Sequence, residues 1–413
     1  MAEFLNLVSP DEAKKYFYSF LCDFENNIEL LKTEQSLDRV IAEQVFSNED
    51  IPSFNRSTVD GFAVKSRDTF GASESLPGYF KVIGEIKMGH LAELEVGSGE
   101  AALIHTGGML PTGTDSVVMI ENTQNTMPGE IEILKSVGHH ENVILAGEDV
   151  KTGTLIFLPG NKIRPGDIGA LMALGITEIK VFKLPRIGII SSGDEIVDPV
   201  QNLMPGQVRD INSYALSALV EKYGGIPKRY GIVPDIKQEL KNALDLAFSE
   251  NDMVIVTAGS SASVRDHTAE VIQTIGNPGV LIHGVNVRPG KPTILAICDG
   301  KPIIGLPGNP VSAFVIASIF VVPLIRKIRG ENGFENRQIE KAKLTINLAS
   351  IAGREDWIPV KIRTDVAKSI IYADPIFYKS NLIFSIIQAD GFLRIPPDVT
   401  GYSADSEVEI ILT

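Results

Sequence analysis

Residues 186–330 alternate short apolar runs with amphipathic stretches: "RIGIIS", "NSYALSALVEKYGG", "IPKRYGIV", "PDIKQELKNALDLAF", "DMVIVT", "TAEVIQTI" and "VLIHGVNV". Apolar runs without polar alternation must be covered on both faces, and the amphipathic stretches between them supply helices that do so. The pattern therefore predicts βαβ units on a mainly parallel sheet. Three small-residue loops fall where such strands end: Ser191-Ser192-Gly193-Asp194-Glu195, the "TAGSSAS" that starts at Thr257, and the "PGNPVSAF" that starts at Pro307. Open α/β sheets bind ligands at the carboxyl ends of their strands. Backbone amides at glycine turns and helix starts suit phosphate, and Asn309 is placed to cap a helix with Pro310 in its first turn. One such loop is equally a plain βα turn. Three at one sheet edge point to a phosphorylated ligand.

A chain of 413 residues exceeds one ordinary core and predicts two to four domains. The first fifty residues read as helical: "SPDEAKKYFYSFL" offers a capping box, with Ser9 as cap, Pro10 at the first helical position and Glu12 three residues after the cap, and "SLDRVIAEQVFS" follows as a second segment. Residues 51–147 change to short apolar runs broken by Gly, Pro, Asn and Asp, an all-β pattern. "PGDIGALMALG" then predicts a helix, and the last eighty or so residues read as a small β domain. Residues 311–325, "VSAFVIASIFVVPLI", are short of the roughly 20 apolar residues of a membrane span and contain Pro323, so they predict a buried core helix.

Thirty-eight Lys and Arg against 52 Asp and Glu give a formal net charge of −14, which argues against nucleic acid and against a polybasic membrane contact. An anionic ligand must then be held by local devices: helix starts, amides and a few placed cations. Two cysteines, Cys22 and Cys298, leave no disulfide framework and fit a reducing, cytoplasmic compartment, and the N-terminus has no secretory pattern. The six histidines lack metal-ligand spacing.

Carboxylates recur next to glycines and at strand ends: Asp60, Glu148, Asp149, Asp194, Glu195, Asp210, Asp235 and Asp266. Each alone reads as a cap or turn residue, and Asp235, just ahead of a helix, is the sharpest test of that reading. Together they offer what a hard cation bridging phosphate needs, namely one or two carboxylates plus water, which fits Mg²⁺. Arg288 and Lys291 in "VNVRPGKPTILA" supply positive charge from a corner stiffened by Pro289 and Pro292.

"RSTVDGFAV", "HTGGMLPTGTDSVVMIENT", "AGEDVKTGTLIFLPG", "RIGIISSGDEIV", "VRDINSYALSALV", "VNVRPGKPTILA" and "GLPGNPVSAF" stand in the order and spacing of the molybdopterin molybdenumtransferase family, which this chain resembles over nearly its whole length. The resemblance implies a multidomain α/β plus β protein. Residues 1–28 and 179–330 would form an α/β molybdopterin-binding domain, 29–50 and 147–178 a small linking domain, 51–146 a β-rich domain and 331–413 a C-terminal β domain. It implies an elongated homodimer with the site in a cleft between subunits. The activity implied is insertion of molybdate into adenylylated molybdopterin with release of AMP, dependent on Mg²⁺. The molybdopterin adenylyltransferase and molybdoenzyme acceptors are the implied protein partners.

Carried over residue by residue, the resemblance implies catalytic roles for Asp60, Asp149, Glu195, Asp235 and Asp266, with Asp60, Glu195 and Asp266 holding the metal. It implies substrate contacts from Thr106, Ser192, Gly193, Asp210, Gly259, Ser260, Ser261, Arg288, Lys291, Pro307, Gly308, Asn309 and Ser312. A Lys or Arg pair offers charge-assisted bonds to a tetrahedral oxyanion, and molybdate is one. The chain departs from the family pattern at Val59, Phe62, Leu103 and His105, and in "TAGSSASVRD", where serines replace most of the usual glycines and Arg265 precedes Asp266. Three alternatives stay open: a tungstate-preferring homologue, the adenylyltransferase, whose fold resembles the α/β part, and a non-catalytic scaffold or cofactor carrier.

Overall fold

A computed structural model of the chain describes residues 7–21, 27–258, 262–377 and 379–413, without the side chains of 262–266. Residues 186–330 fold as the alternation predicts. Six strands lie in the order Ile226–Val233, Arg186–Ser192, Met253–Ala258, Lys301–Pro307, Ile294–Cys298, Pro278–His283. The first four are parallel and the last two are antiparallel additions at one edge. Ile187, Ile189 and Ile255 face the helix Asn212–Lys222 through Leu216, Leu219 and Val220. Ile190, Val254 and Val256 face the opposite side, where Leu240, Leu244 and Ala247 of Lys237–Glu250 cover them. Burial on both faces is why these strands read as unbroken apolar runs.

The apolar segment predicted as a core helix runs Pro310–Ile316, Ala317–Val321 and Val322–Ile328, with a π turn in the middle stretch. Pro323 has no N–H and its ring crowds the carbonyl one turn back, which accounts for the widening just ahead of it. At 19 residues this helix is long and apolar enough to cross a membrane, yet 78% of its most apolar window is buried inside the protein. It is a core helix, burying its Val311, Ile316, Phe320 and Ile325 in one cluster with Leu216, Leu219 and Leu306.

At the N-terminus the capping box forms as expected: Ser9 Oγ accepts from the Glu12 N–H at 3.3 Å, and the Glu12 carboxylate accepts from the Ser9 N–H at 3.2 Å. Ala13 and Phe17 of the helix Pro10–Tyr18 are buried in the α/β core. The second helical segment expected within the first fifty residues does not exist. Ile28–Lys32 is a strand paired antiparallel with Glu178–Phe182, Thr33–Gln35 is one 3₁₀ turn, and Val45–Phe46 pairs with Leu155–Phe157. Asp38 at φ 62° breaks any helix there. The apolar positions that mimicked a helical stripe, Ile41 and Val45, pack instead with Ile163, Leu171, Ile179 and Val181. This packing also corrects the boundary at 178/179, since Ile179 and Val181 are core of the linking unit rather than of the α/β domain. The helix Pro165–Ala173, expected from sequence, closes the same small core.

The β-rich unit is a six-stranded sheet in the order Ser116–Met119, Gly61–Val64, Glu100–Ile104, Gly78–Ile86, Glu130–Ile133, Thr123–Met127. A Cβ at Gly61 would stand 1.9 Å from the Val118 carbonyl oxygen, so only glycine permits this close pairing directly after Asp60. In the C-terminal unit, Glu355–Asp365, Ile370–Pro375, Ile339–Leu344, Glu407–Leu412 and Gly391–Ile395 form a ring, closed by pairing of the first strand with the last. Closure removes the exposed edges and surrounds Leu344, Val360, Leu393 and Ile410. Val287–Arg288 of the α/β unit adds in parallel to Glu355 and Asp356, so the two units share backbone bonds at the corner that carries Arg288.

Candidate active site

The strands that lead into the three small-residue loops are neighbours in the sheet. Ser191 lies in register with Thr257, and Ala258 with Pro307, so the loops leave adjacent parallel strands at one edge of the sheet. Ser192 Oγ donates to Asp235 Oδ1 at 3.0 Å, and the Asp235 N–H donates to Asp194 Oδ1 at 3.1 Å, which ties the ends of two strands together. Asp235 is therefore not a helix cap: the helix begins at Lys237 and has no side-chain cap bond. Glu195 is exposed and its carboxylate has no hydrogen-bond partner among the described residues. Gly193 donates its N–H to the Val233 carbonyl at 3.2 Å.

Two sequence expectations at this edge are corrected. Asp210, expected among the substrate contacts, is 6% exposed and uses both oxygens internally. It accepts from Ser191 Oγ at 2.9 Å, Ser213 Oγ at 2.6 Å and the Ser213 N–H at 3.1 Å, so it anchors the loop against the next helix. Asn309 occupies the cap position but does not cap. Its side chain donates to Ser380 Oγ at 3.1 Å in the C-terminal unit, and the Val311 N–H, expected to be free for a ligand, donates to the Ser380 carbonyl at 3.2 Å. Gly308 is held by Asn212, whose side-chain amide donates to its carbonyl at 2.8 Å. Gly259, Ser260 and Ser261 lie outside the described residues. So does the side chain of Asp266, whose backbone falls in the helix Ala262–Gln273.

Beside this edge a cleft of about 830 Å³ opens between the α/β unit and the C-terminal barrel. Arg288 and Lys291 border it from one side, Arg354 and Lys379 from the other, with Asn309, Ser312 and Ser380 also in the wall. The one carboxylate in the wall, Asp356, is already bonded by Arg354, Nε to Oδ1 at 2.7 Å and Nη2 to Oδ2 at 3.0 Å, and by Ser350 Oγ at 3.0 Å. Arg288, Lys291 and Lys379 are exposed and carry no ion pair among the described residues. In a chain of net charge −14 this concentration of unpaired cations attracts an anion. Arg354, Lys379 and Ser380 were not found from sequence. Nothing marks them locally, because they reach the corner only through the pairing of the barrel strand with Val287–Arg288.

The corner itself is fixed by packing. The Lys291 carbonyl accepts from the Val285 and Thr293 N–H groups, and Thr293 Oγ1 donates to the Gly290 carbonyl at 2.6 Å. Gly290 has φ +125°, and a Cβ there would lie 2.4 Å from the Ile316 side chain. Gly290→Ala is expected to lower stability by about 1–3 kcal/mol and to weaken oxyanion binding by displacing Arg288 and Lys291. Urea unfolding and molybdate titration check this, and an unchanged protein in both would contradict the packing argument.

Asp60 and Thr106, matched separately from sequence, are brought together. Asp60 Oδ1 accepts from the Thr106 N–H at 2.8 Å and from its hydroxyl at 3.3 Å, which leaves Oδ2 open on a side chain that is 60% exposed. The Thr106 N–H is the main cause that holds the Asp60 carboxyl below its ordinary value of 3.8. The lowered value means the carboxylate persists as pH falls and protonates only below that range, which side-chain ¹³C NMR titration would read. His105, where the family pattern has Met, stands 3.6 Å from Asp60 and binds Glu85 at 3.0 Å. Asp149 is exposed at the junction with the linking unit, its N–H donating to the Ile51 carbonyl at 3.0 Å. No hydrogen bond or ion pair among the described residues joins Asp60 or Asp149 to the sheet edge, and no three metal-ligating side chains among those residues converge within one chain.

Comparison with known proteins covers the same three regions. Family models match residues 8–175 as "MoeA N-terminal region (domain I and II)", 188–327 as "Probable molybdopterin binding domain" and 341–413 as "MoeA C-terminal region (domain IV)". The chain is 32% identical to the molybdopterin molybdenumtransferase of Staphylococcus epidermidis, over 98% of this chain and 96% of that one. It is 34% identical to that of Staphylococcus aureus, over 92% and 90%. A solved molybdopterin biosynthesis moeA protein from Pyrococcus horikoshii superposes with a TM-score of 0.85 at 31% identity, covering 99% of this chain and all of that one.

Proposed function

This chain belongs to the MoeA family of molybdopterin molybdenumtransferases and acts in molybdenum cofactor biosynthesis, and from that we propose that it inserts molybdate into adenylylated molybdopterin and releases AMP. The observation that carries the reading is the cleft in which Arg288, Lys291 and Lys379 face one another with no free carboxylate among them. Molybdate is a compact tetrahedral dianion, and a cleft lined by three unpaired cations, with Ser312 also in its wall, suits it. The phosphates of the nucleotide-bearing substrate extend along the neighbouring sheet edge, next to the exposed Glu195, where a hard cation would bridge them to the protein.

Mg²⁺ fits the carboxylates available. Asp60 keeps one oxygen free and stays ionised, and Glu195 is unpartnered. A hard cation needs only one or two such groups, the rest of its shell coming from water and phosphate oxygens. Asp60, Glu195 and Asp266 would hold it, and it would neutralise charge on the pyrophosphate. Asp235, oriented by Ser192, would take a proton from water attacking phosphorus as the bond to AMP breaks.

The separation of Asp60 from the sheet edge within one chain supports a homodimer in which the β-rich unit of one copy completes the site of the other. The molybdopterin adenylyltransferase is the proposed donor of substrate and molybdoenzymes the proposed acceptors. The buried Cys298 thiol, pushed up to about 11 by burial, fits residence in the reducing cytoplasm.

Purified protein incubated with adenylylated molybdopterin, molybdate and Mg²⁺ is expected to release AMP and yield active cofactor. AMP that stays attached with molybdate present would sink the reading, and release triggered by tungstate alone would change the metal. Arg288→Ala and Lys291→Ala are each expected to raise the molybdate concentration for half-maximal release about 10-fold or more, the loss of one charge-assisted contact.

A further inference from the structure

On the other side of Trp357 from the oxyanion cleft lies a second cavity, of about 510 Å³, walled by the helix Asn212–Lys222, the π-bulged core helix, the connection after it and the end of the barrel. Trp357 borders both cavities and is the one described residue that lines each. The walls are aromatic: Tyr223, Phe314 and Phe334 join Trp357 and Phe392. Five basic side chains border it against two acidic ones, in a chain of net charge −14. Lys162 pairs with Asp38 at 2.7 Å, and Arg326 and Arg329 share Glu331 at 2.5 and 3.5 Å. The remaining carboxylate, Glu335, is exposed and pairs with none of them within 4.0 Å among the described residues.

Arg337 and Lys222 have no carboxylate partner among the described residues. The Arg337 guanidinium is half-buried, stands 4.9 Å over the Trp357 ring and reaches one carbonyl, that of Ser318 in the π turn, at 3.5 Å. Burial is the main cause that holds its pKa below the ordinary value. Glu355 and Asp11 act on it only from beyond ion-pair distance, so a guanidinium taken partly out of water gains from an anion in direct contact. Aromatic walls and a volume in the range of small-molecule sites set the rest of the ligand. π turns recur at binding sites, and this one carries the carbonyl that faces Arg337.

We propose that this cavity binds a small aromatic anion, a planar ring system bearing a sulfonate, carboxylate or phosphate, with the anionic group on Arg337 and the rings among Tyr223, Phe314 and Phe334. The site is distinct from the molybdate cleft and does not depend on the proposed reaction.

The test uses the full chain and 8-anilinonaphthalene-1-sulfonate as probe. Trp357 is the sole tryptophan, so binding beside it is read as energy transfer from Trp357 to the probe. One probe per chain is expected by calorimetry. Ala218→Phe, which fills the mouth from an exposed helix position, should abolish the transfer, and Arg337→Gln should weaken binding at least 10-fold. Arg288→Ala and saturating molybdate should leave binding unchanged. Wild-type affinity in both Ala218→Phe and Arg337→Gln, displacement by molybdate, or equal binding of uncharged N-phenyl-1-naphthylamine would each overturn the assignment. Far-UV circular dichroism confirms that both variants remain folded.

Discussion

Asp60→Ala is expected to cut the rate of AMP release by about 10²-fold or more while leaving the fold intact. The side chain is 60% exposed and its contacts go to Thr106 and His105, neither of them a core residue. What the variant loses is an ionised oxygen presented at the start of a strand, next to a glycine that packs against the Val118 carbonyl. Asp60→Asn keeps the shape and removes the charge, and should be nearly as slow. If the site is completed by a second copy, two variants impaired on opposite sides of it should complement. Mixing Asp60→Ala with Arg288→Ala protein, at molybdate too dilute for Arg288→Ala to turn over and under conditions that exchange subunits, should restore about a quarter of wild-type activity, since half the dimers are mixed and each mixed dimer has one intact site. Wild-type turnover in Asp60→Ala would remove Asp60 from the site. Absence of complementation, with exchange demonstrated, would place the whole site within one chain.

Trp357→Ala is expected to be the most destabilising single substitution named here. The ring is 2% exposed and separates the two cavities. It packs against Phe392 with ring centroids 6.2 Å apart, and its Nε1 donates to Glu355 Oε1 at 2.6 Å. Truncating a buried ring of this size costs about 3–5 kcal/mol through lost burial and the cavity left behind. The change should lower the midpoint of thermal unfolding by about 3–6 °C. Glu355 keeps its bonds to Arg394, at 2.9 Å to Nε and 2.7 Å to Nη2, so the penalty is one of packing more than of a stranded charge. Trp357→Phe should therefore recover most of the loss. Circular dichroism on the three proteins measures this, and a midpoint for Trp357→Ala within a degree of wild type would show that the wall is dispensable. Merging the cavities should also bring the cleft's oxyanion affinity down, a second readout on the same variant.

The α/β sheet was legible because burial on both faces writes an unambiguous pattern: apolar runs without alternation, separated by amphipathic helices. Small residues at strand ends were legible for a related reason, since strand order in a parallel sheet gathers carboxyl ends at one edge. The first fifty residues misled because the apolar spacing of Ile41 and Val45 fits a helix as well as it fits irregular backbone packed on Val181 and Leu171. Only the tertiary partner distinguishes the two.

The site divides in the same way. Residue types and order in the sequence were enough to single out Asp60, Ser192, Asp235, Arg288 and Lys291, since carboxylates, small hydroxyls and a stiff basic corner are the chemistry that phosphate, a hard cation and an oxyanion require, and the family resemblance added Ser312. The tertiary structure decided which of them act through one another. It joined Asp60 to Thr106 and Ser192 to Asp235, and it enclosed Asp210 as an anchor. It turned Asn309 away from its helix toward Ser380, and it brought Arg354 and Lys379 to face Arg288 across a cleft. Those pairings depend on parallel strand register and on one strand shared between two domains. Contacts between residues so distant in the chain leave no local pattern to read, whereas burial and backbone chemistry act at each position and do.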